Sequence, residues 1–83
     1  MESTAIQKDI TDFVCRNFLV EEGEIVLGES LVDQGIIDSF GLVEIAAFIK
    51  KKYTIVTGES EMNRDNFGSI LKMAAYVERK QHG

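Results

Sequence analysis

The 83-residue sequence has no proline, no tryptophan, one cysteine and one histidine. A single cysteine cannot close an internal disulfide, and one cysteine with one histidine does not supply the ligand spacing of a metal site. We therefore expect Cys15 to be a small core residue in a reducing compartment. The sequence also lacks a basic start followed by an apolar run, and it has no apolar stretch near the ~20 residues of a membrane span. These absences predict a cytoplasmic chain that does not insert into membranes.

Basic residues are scarce in the first half of the chain. Residues 1–44 contain ten acidic and two basic side chains, whereas residues 45–83 contain four and seven, and the net charge is −5. Nucleic-acid binding needs clustered Lys and Arg, so the acidic half argues against a nucleic-acid partner. It fits partner proteins with basic docking surfaces, although the same acids could simply keep a small domain soluble.

Apolar residues, in contrast, are plentiful at 45% of the sequence, which is enough for one small globular domain, residues 1–83. Apolar positions around Ile10 recur at helical spacing and predict a first helix over about 4–19. Thr4 and Gln7 have the spacing of a capping box at its start. Residues before Thr4 are expected to fray.

The segment 20–37 contains three glycines but too many apolar residues for a flexible linker. Connections of this length in a compact domain are usually functional or locally packed. We expect the segment to lie across the bundle, anchored by Leu31 and Ile36, with one helical turn near 30–34.

A second helix is predicted from Ser39 to about Lys52. Asp38 is a favourable N-cap, which places the Ser39 hydroxyl at the helix start, facing solvent. The helix dipole and the unpaired first-turn amides favour an anion there. From the residues alone we hypothesise that Ser39 is modified with a phosphate-linked arm.

The predicted second helix is apolar over an unusually wide face. Its last turn is basic, which suits the negative end of the helix; the three lysines are either a solvated helix terminus or part of a binding surface. The residues concerned are Leu42, Ile45, Ala46 and Ile49 in one stripe, Phe40, Val43 and Ala47 in a second, and Lys50, Lys51 and Lys52.

Beyond this helix the sequence predicts a loop over 53–63 with Ile55 and Val56 turned inward, since no partner strand exists for that β-branched pair. A short turn through Phe67 follows, capped by either Asn63 or Asp65. Ser69 then caps a last helix. That helix has an apolar stripe of Ile70, Ala74 and Val77, and Ala74 and Ala75 are small enough to allow close helix approach.

The sequence contains no motif that predicts catalysis. A nucleophilic Ser39 would need a base, and the only histidine, His82, lies in a segment expected to be mobile. Paired carboxylates such as Asp33 with Asp38, or Asp38 with Glu44, are better explained as solvated acids, because a small bundle leaves little volume for a closed cleft. We therefore expect the chain not to be an enzyme.

Three segments together resemble acyl carrier proteins and the related peptidyl and D-alanyl carrier proteins: Gly35-Ile36-Ile37-Asp38-Ser39-Phe40, Val43-Glu44 and Asn66-Phe67. The resemblance extends over nearly the whole chain. It implies an all-α four-helix bundle of acyl-carrier type, with a short third helix and a long first loop. It also implies a 4′-phosphopantetheine arm on Ser39, whose thiol carries an acyl or aminoacyl group as a thioester.

The resemblance further implies roles for individual residues and partners. Asp38 would lie close to the metal of the phosphopantetheinyl transferase that attaches the arm. Helix two would be the main recognition helix for a loading enzyme and for a downstream transferase or synthase, with the carrier as a monomer. Its partner-facing candidates are Phe40, Val43, Glu44 and Ala47, although Val43 and Ala47 could equally be core residues.

The sequence departs from the pattern of fatty-acid-synthesis carriers in two respects. Phe40 stands where those carriers typically have leucine, and Lys50 to Lys52 stand where their second helix ends in acids. We therefore favour a stand-alone carrier of a polyketide, nonribosomal-peptide or aminoacyl pathway. An unmodified interaction module of the same fold is the main alternative, and a small hydrolase built on Ser39 is the third possibility.

Overall fold

A computed structural model describes residues 2–82, apart from the side chains of Glu2, Ser3, Glu59 and His82. Within this range the chain has four α-helices and no β-strand, which confirms the all-α four-helix bundle with a short third helix and a long first loop. The helices are α1 (Glu2–Phe18), α2 (Ser39–Tyr53), α3 (Arg64–Phe67) and α4 (Ile70–His82), with single 3₁₀ turns at Glu22–Glu24 and Glu59–Glu61. No helix in 2–82 has the length and apolar character needed to cross a membrane.

The core lies where the apolar faces of the three longer helices meet. The most extensive interface is between α1 and α4, and α2 packs against both. Burying aliphatic side chains there is the main stabilising contribution, at roughly 1.5–3 kcal/mol for each fully buried side chain. The fully buried side chains include Ile10 and Val14 of α1, Ile45 and Ile49 of α2, Phe67 of α3, and Ile70, Met73, Tyr76 and Val77 of α4.

Helix α1 begins earlier than the sequence predicts. It starts at Glu2, so Thr4 lies inside the helix and the predicted capping box at Thr4 is wrong. The backbone of Ser3 is helical rather than frayed, and Met1 lies outside the described residues. The backbone of helix α4 is helical through Gln81 to His82, in the segment that was expected to be mobile.

Two predictions of burial are also wrong. Ile55 is buried as expected, but Val56 is exposed, because consecutive side chains of an extended loop point in opposite directions. On α4, Ala74 is buried and Ala75 is exposed, so only Ala74 allows the close helix approach predicted for both.

The long first loop is held by a few specific hydrogen bonds. The Gln34 side chain accepts from the Val26 amide at 2.9 Å and donates to the Val26 and Glu29 carbonyls at 3.0 Å. The Leu31 amide donates to the Gly68 carbonyl at 3.1 Å, which ties the loop to the corner between α3 and α4. Leu31 is fully buried and confirms its predicted anchoring role, whereas Ile36 is half-buried.

A helical turn over 30–34 leads the chain into α2. Its Gln34 amide donates to the Ser30 carbonyl at 3.0 Å. The turn ends in a Schellman motif, because the Ile36 amide reaches the Leu31 carbonyl and the Gly35 amide reaches the Val32 carbonyl, both at 3.0 Å. Gly35 has a φ of 76°, which glycine adopts without the steric cost of a side chain.

Candidate functional site

Asp38 caps α2 as its sequence predicts. Its backbone is extended, and its Oδ1 accepts a hydrogen bond from the Gly41 amide at 2.9 Å. The Asp38 carbonyl accepts from the Leu42 amide at 3.2 Å, which closes the first helical turn. Since a cap of this kind contributes about 1 kcal/mol, Asp38 determines where the helix begins and therefore where Ser39 lies.

Ser39 is the first residue of α2 and its side chain is exposed. The amides of Ser39 and Phe40 have no hydrogen-bond partner among the described residues, because the Asp38 side chain satisfies only the third amide of the turn. Unpaired amides at the positive end of a 15-residue helix favour a negatively charged group. The hydroxyl is therefore both accessible and placed where a phosphate ester is electrostatically favoured.

Gly41 allows this helix start to pack closely against α1. A Cβ atom at position 41 would lie 2.8 Å from the Ile37 Cβ and 3.2 Å from the Phe18 Cε1. Gly41 is buried and Ile37 is almost fully buried, so the residues on either side of Ser39 are fixed in the bundle. The exposed serine is thus held on a rigid support.

An open groove of about 250 Å³ begins at Ser39 and runs between α2 and α3. Its apolar surface comes from the first loop, from α2 and from the segment around α3. The polar residues at its margin include Arg64, whose guanidinium lies 3.9 Å from the Asp33 carboxylate in an exposed pair. The apolar residues that line the groove are Val32, Leu42, Met62 and Phe67.

The predicted partner-facing residues of α2 are all exposed. Phe40 is 79% exposed and Val43 is 58% exposed, and Glu44 and Ala47 also lie on the surface. Core packing therefore does not account for Val43 or Ala47. The first stripe is the inward one: Ile45 and Ile49 are buried, while Leu42 and Ala46 are partly buried against the core.

Among the described side chains, no histidine is available as a base for Ser39. The side chain of His82, with its predicted mobility, lies outside the described residues. Cys15 is partly buried beside the core, and burial together with the nearby carboxylates raises the pKa of its thiol. Within the described side chains, no three His, Cys, Asp or Glu residues are grouped so as to hold a metal ion.

Three features of the site were not predicted from the sequence. Met62 and Arg64 line the groove beside Ser39 although they follow it by more than twenty positions. Gly41 lies just after the quoted motif, and its role in close packing depends on Phe18 of another helix. A glycine near the start of an apolar helix was the one available signal, because helix interiors otherwise disfavour it.

A small helical bundle that presents an exposed serine at the capped start of its second helix has the architecture of a carrier protein. The comparisons with known proteins agree. The chain is 30% identical over 78 residues to D-alanyl carrier proteins of Streptococcus pyogenes serotype M5 (strain Manfredo), serotype M49 (strain NZ131) and serotype M1. Each alignment covers 94% of this chain and 98% of the relative.

The chain belongs to the family of acyl and D-alanyl carrier proteins. No protein-family model and no solved structure matches it. Because the alignment covers nearly all of this chain and of each relative, the chain has the role of a carrier protein.

Proposed function

We propose that this carrier holds an acyl or aminoacyl group on a 4′-phosphopantetheine arm attached to Ser39. The observation that supports the proposal best is the Ser39 hydroxyl itself, exposed on the first residue of a helix whose start is capped by Asp38. When attached, the arm supplies a terminal thiol that can hold such a group as a thioester.

The residues around Ser39 fit such an arm. The unpaired amides of Ser39 and Phe40 suit the phosphodiester that joins the arm to the serine. The groove that opens at Ser39 has apolar walls, including Leu42 and Phe67, with polar groups at its margin, which suits an amide-containing chain. Because Ser39 is exposed, a partner enzyme can also reach the group that the arm carries.

A phosphopantetheinyl transferase would attach the arm to Ser39 with coenzyme A as the donor. The Ser39 hydroxyl oxygen would bond to the phosphorus next to pantetheine, the pyrophosphate P–O bond would break, and adenosine 3′,5′-bisphosphate would leave as the hydroxyl loses its proton. Asp38, next to the serine, would lie close to the transferase metal while it caps the helix.

The partner surface that we propose is the exposed face of α2. Phe40, Val43 and Ala47 offer apolar contact next to Ser39, and Glu44 adds a negative charge. A loading enzyme and a downstream transferase or synthase would use this face in turn, with a single copy of the carrier sufficient for each. Exposed apolar residues grouped on one face are typical of such interaction sites.

The names of the relatives support an aminoacyl cargo, with D-alanine as the first candidate to test. The basic end of α2, which departs from fatty-acid-synthesis carriers, is in line with that choice. An aminoacyl pathway is therefore our preferred setting among the specialised pathways.

The proposal is tested by incubating the protein with coenzyme A, magnesium and a promiscuous phosphopantetheinyl transferase, followed by intact-protein mass spectrometry. We expect addition of one phosphopantetheine to the natural chain and none to Ser39→Ala. Ser60→Ala is a matched control, because Ser60 is also exposed but lies in the 3₁₀ turn Glu59–Glu61 and not at the start of a long helix, and it should be modified fully.

The same experiment separates the alternatives. If the natural chain gains no mass, the unmodified interaction module becomes the better interpretation, and if Ser39→Ala is still modified, the attachment site is elsewhere. Ester hydrolysis by the unmodified protein above buffer background would instead support the hydrolase.

A further inference from the structure

The exposed face of α2 does not end with the apolar residues. A helix turns about 100° per residue, so Lys50 and Lys51 continue the line of Val43 and Ala47 toward the C-terminal end. Both lysines are exposed. Glu44 is exposed on the same face, between Val43 and Ala47. The face therefore has one acid, Glu44, among its apolar residues and is basic at the end far from Ser39.

The third lysine of the run has a different position. Lys52 points toward α1, where its Nζ lies 3.9 Å from the Asp9 carboxylate. Neither Lys50 nor Lys51 forms an ion pair or hydrogen bond with any described side chain. Helix dipole stabilisation applies to all three lysines, so it does not explain why two of them lie on the outer face.

Lys50 also borders an apolar groove of about 310 Å³ between α2 and the loop that follows it. Val43, Ala47 and Met62 line this groove with it. An apolar side chain that enters the groove therefore lies beside Lys50. Since a helix rises about 1.5 Å per residue, Lys50 lies about 16 Å along the axis from Ser39.

We propose that this face docks an enzyme surface on which an apolar projection has carboxylates on one side only, about 16 Å from the point of entry of the Ser39 arm. The proposal rests on the carrier function and adds the charge of the partner. Carboxylates opposite Lys50 and Lys51 gain attraction, whereas a uniformly basic partner is repelled there. Because Glu44 has the opposite charge, the face also favours one orientation of the partner over its reverse.

The test uses the isotopically labelled apo protein and two designed amphipathic helical peptides with the same leucine face. One peptide carries glutamates at one end, and the other carries lysines at the same positions. We expect the glutamate peptide to shift the amide NMR signals of Val43, Ala47, Lys50 and Lys51, and to bind more weakly as salt is added.

Charge reversal in the protein provides the decisive comparison. The double variant Lys50→Glu/Lys51→Glu should bind the glutamate peptide about 3–10-fold more weakly and should regain binding to the lysine peptide. Lys52→Glu is the control for position, because it makes one such charge reversal in the same helical turn but on the side facing α1. It should leave binding of the glutamate peptide unchanged.

The proposal is overturned if the natural protein does not bind the glutamate peptide, binds both peptides equally, or shows its signal changes away from this face. It is also overturned if Lys52→Glu weakens binding as much as the double variant does. The peptide test uses the apo protein, so its result does not depend on the arm. Failure of docking therefore leaves the attachment of the arm to Ser39 untouched, and failure of attachment leaves the peptide result untouched.

Discussion

At the scale of single residues, the neighbouring residues Ser39 and Asp38 have different roles in the site. Ser39 provides an accessible hydroxyl, and Asp38 holds the helix start that positions it through a 2.9 Å hydrogen bond to the Gly41 amide. The proposed role of Asp38 near the transferase metal needs a negative charge, whereas capping needs only a hydrogen-bond acceptor. The two roles can therefore be separated by substitution.

We predict that Asp38→Asn folds almost as stably as the natural chain, since asparagine caps helices about as well as aspartate, but that the transferase modifies it about tenfold more slowly. Asp38→Ala should be modified slowly and should also lose about 0.5–2 kcal/mol of unfolding free energy. Urea denaturation and a mass-spectrometric time course measure the two quantities. If Asp38→Asn is modified at the normal rate, the transferase does not need the charge of Asp38. If Asp38→Ala is as stable as the natural chain, Asp38 does not stabilise the helix start.

At the scale of helices, α2 is attached to α1 at its C-terminal end as well as at its start. The Tyr53 hydroxyl donates to the Asp9 Oδ2 at 2.8 Å, and Lys52 lies beside the same carboxylate. Phe13 of α1 stacks on Phe48 of α2, with 4.3 Å between ring centroids. The outer face of α2 is therefore presented at a fixed angle to the rest of the bundle.

The Tyr53 contact predicts a pH dependence of stability. Burial, and then the hydrogen bond to Asp9, raise the pKa of the Tyr53 hydroxyl above its usual value. Because the folded state favours the protonated phenol, this contribution is fully present below the unfolded pKa of about 10 and is lost as the pH rises further. Tyr53→Phe should lower the free energy of unfolding by about 0.5–1 kcal/mol near neutral pH. As the pH rises into the alkaline range, the unfolding free energy of this variant should fall less than that of the natural chain.

Urea denaturation of both proteins from neutral to strongly alkaline pH measures this difference. Lysines deprotonate in the same range, so the comparison between the two proteins is the informative quantity. Parallel alkaline curves for Tyr53→Phe and the natural chain would contradict the prediction.

At the scale of the whole molecule, a chain of 83 residues has a small core and therefore a small margin of stability. Ile10 is fully buried on α1, the helix that shares its largest interface with α4. Removing even one methyl group from such a position leaves a void that the neighbouring side chains fill only in part.

We predict that Ile10→Val lowers the free energy of unfolding by about 0.5–1.5 kcal/mol, which for a domain of this size lowers Tm by several degrees. Calorimetry measures the change. Val26→Ala is a suitable control, because Val26 is half exposed and its truncation should change stability by no more than about 0.5 kcal/mol. Equal effects of the two substitutions would show that Ile10 does not lie in the core as described.

Much of the fold and part of the site could be predicted from the sequence, because the signals involved are local. The periodic apolar residues of α1, α2 and α4, and the caps Asp38, Asn63 and Ser69, act within a few positions of each other. Asn63 accepts from the Asn66 amide and Ser69 from the Lys72 amide, as the capping pattern predicts. The predicted end of α2 differed from the structure by one residue, and the start of α1 by two.

What the sequence alone determined, then, is the set of helices and the place of an exposed, capped serine, because periodicity and capping act over one or two helical turns. Tertiary structure decided which side chains share a surface. It brought Met62 and Arg64 to the groove beside Ser39, and it turned Lys52 toward Asp9 while Lys50 stayed on the outer face. These outcomes depend on how separate helices pack, a property of the whole bundle that no short stretch of sequence contains.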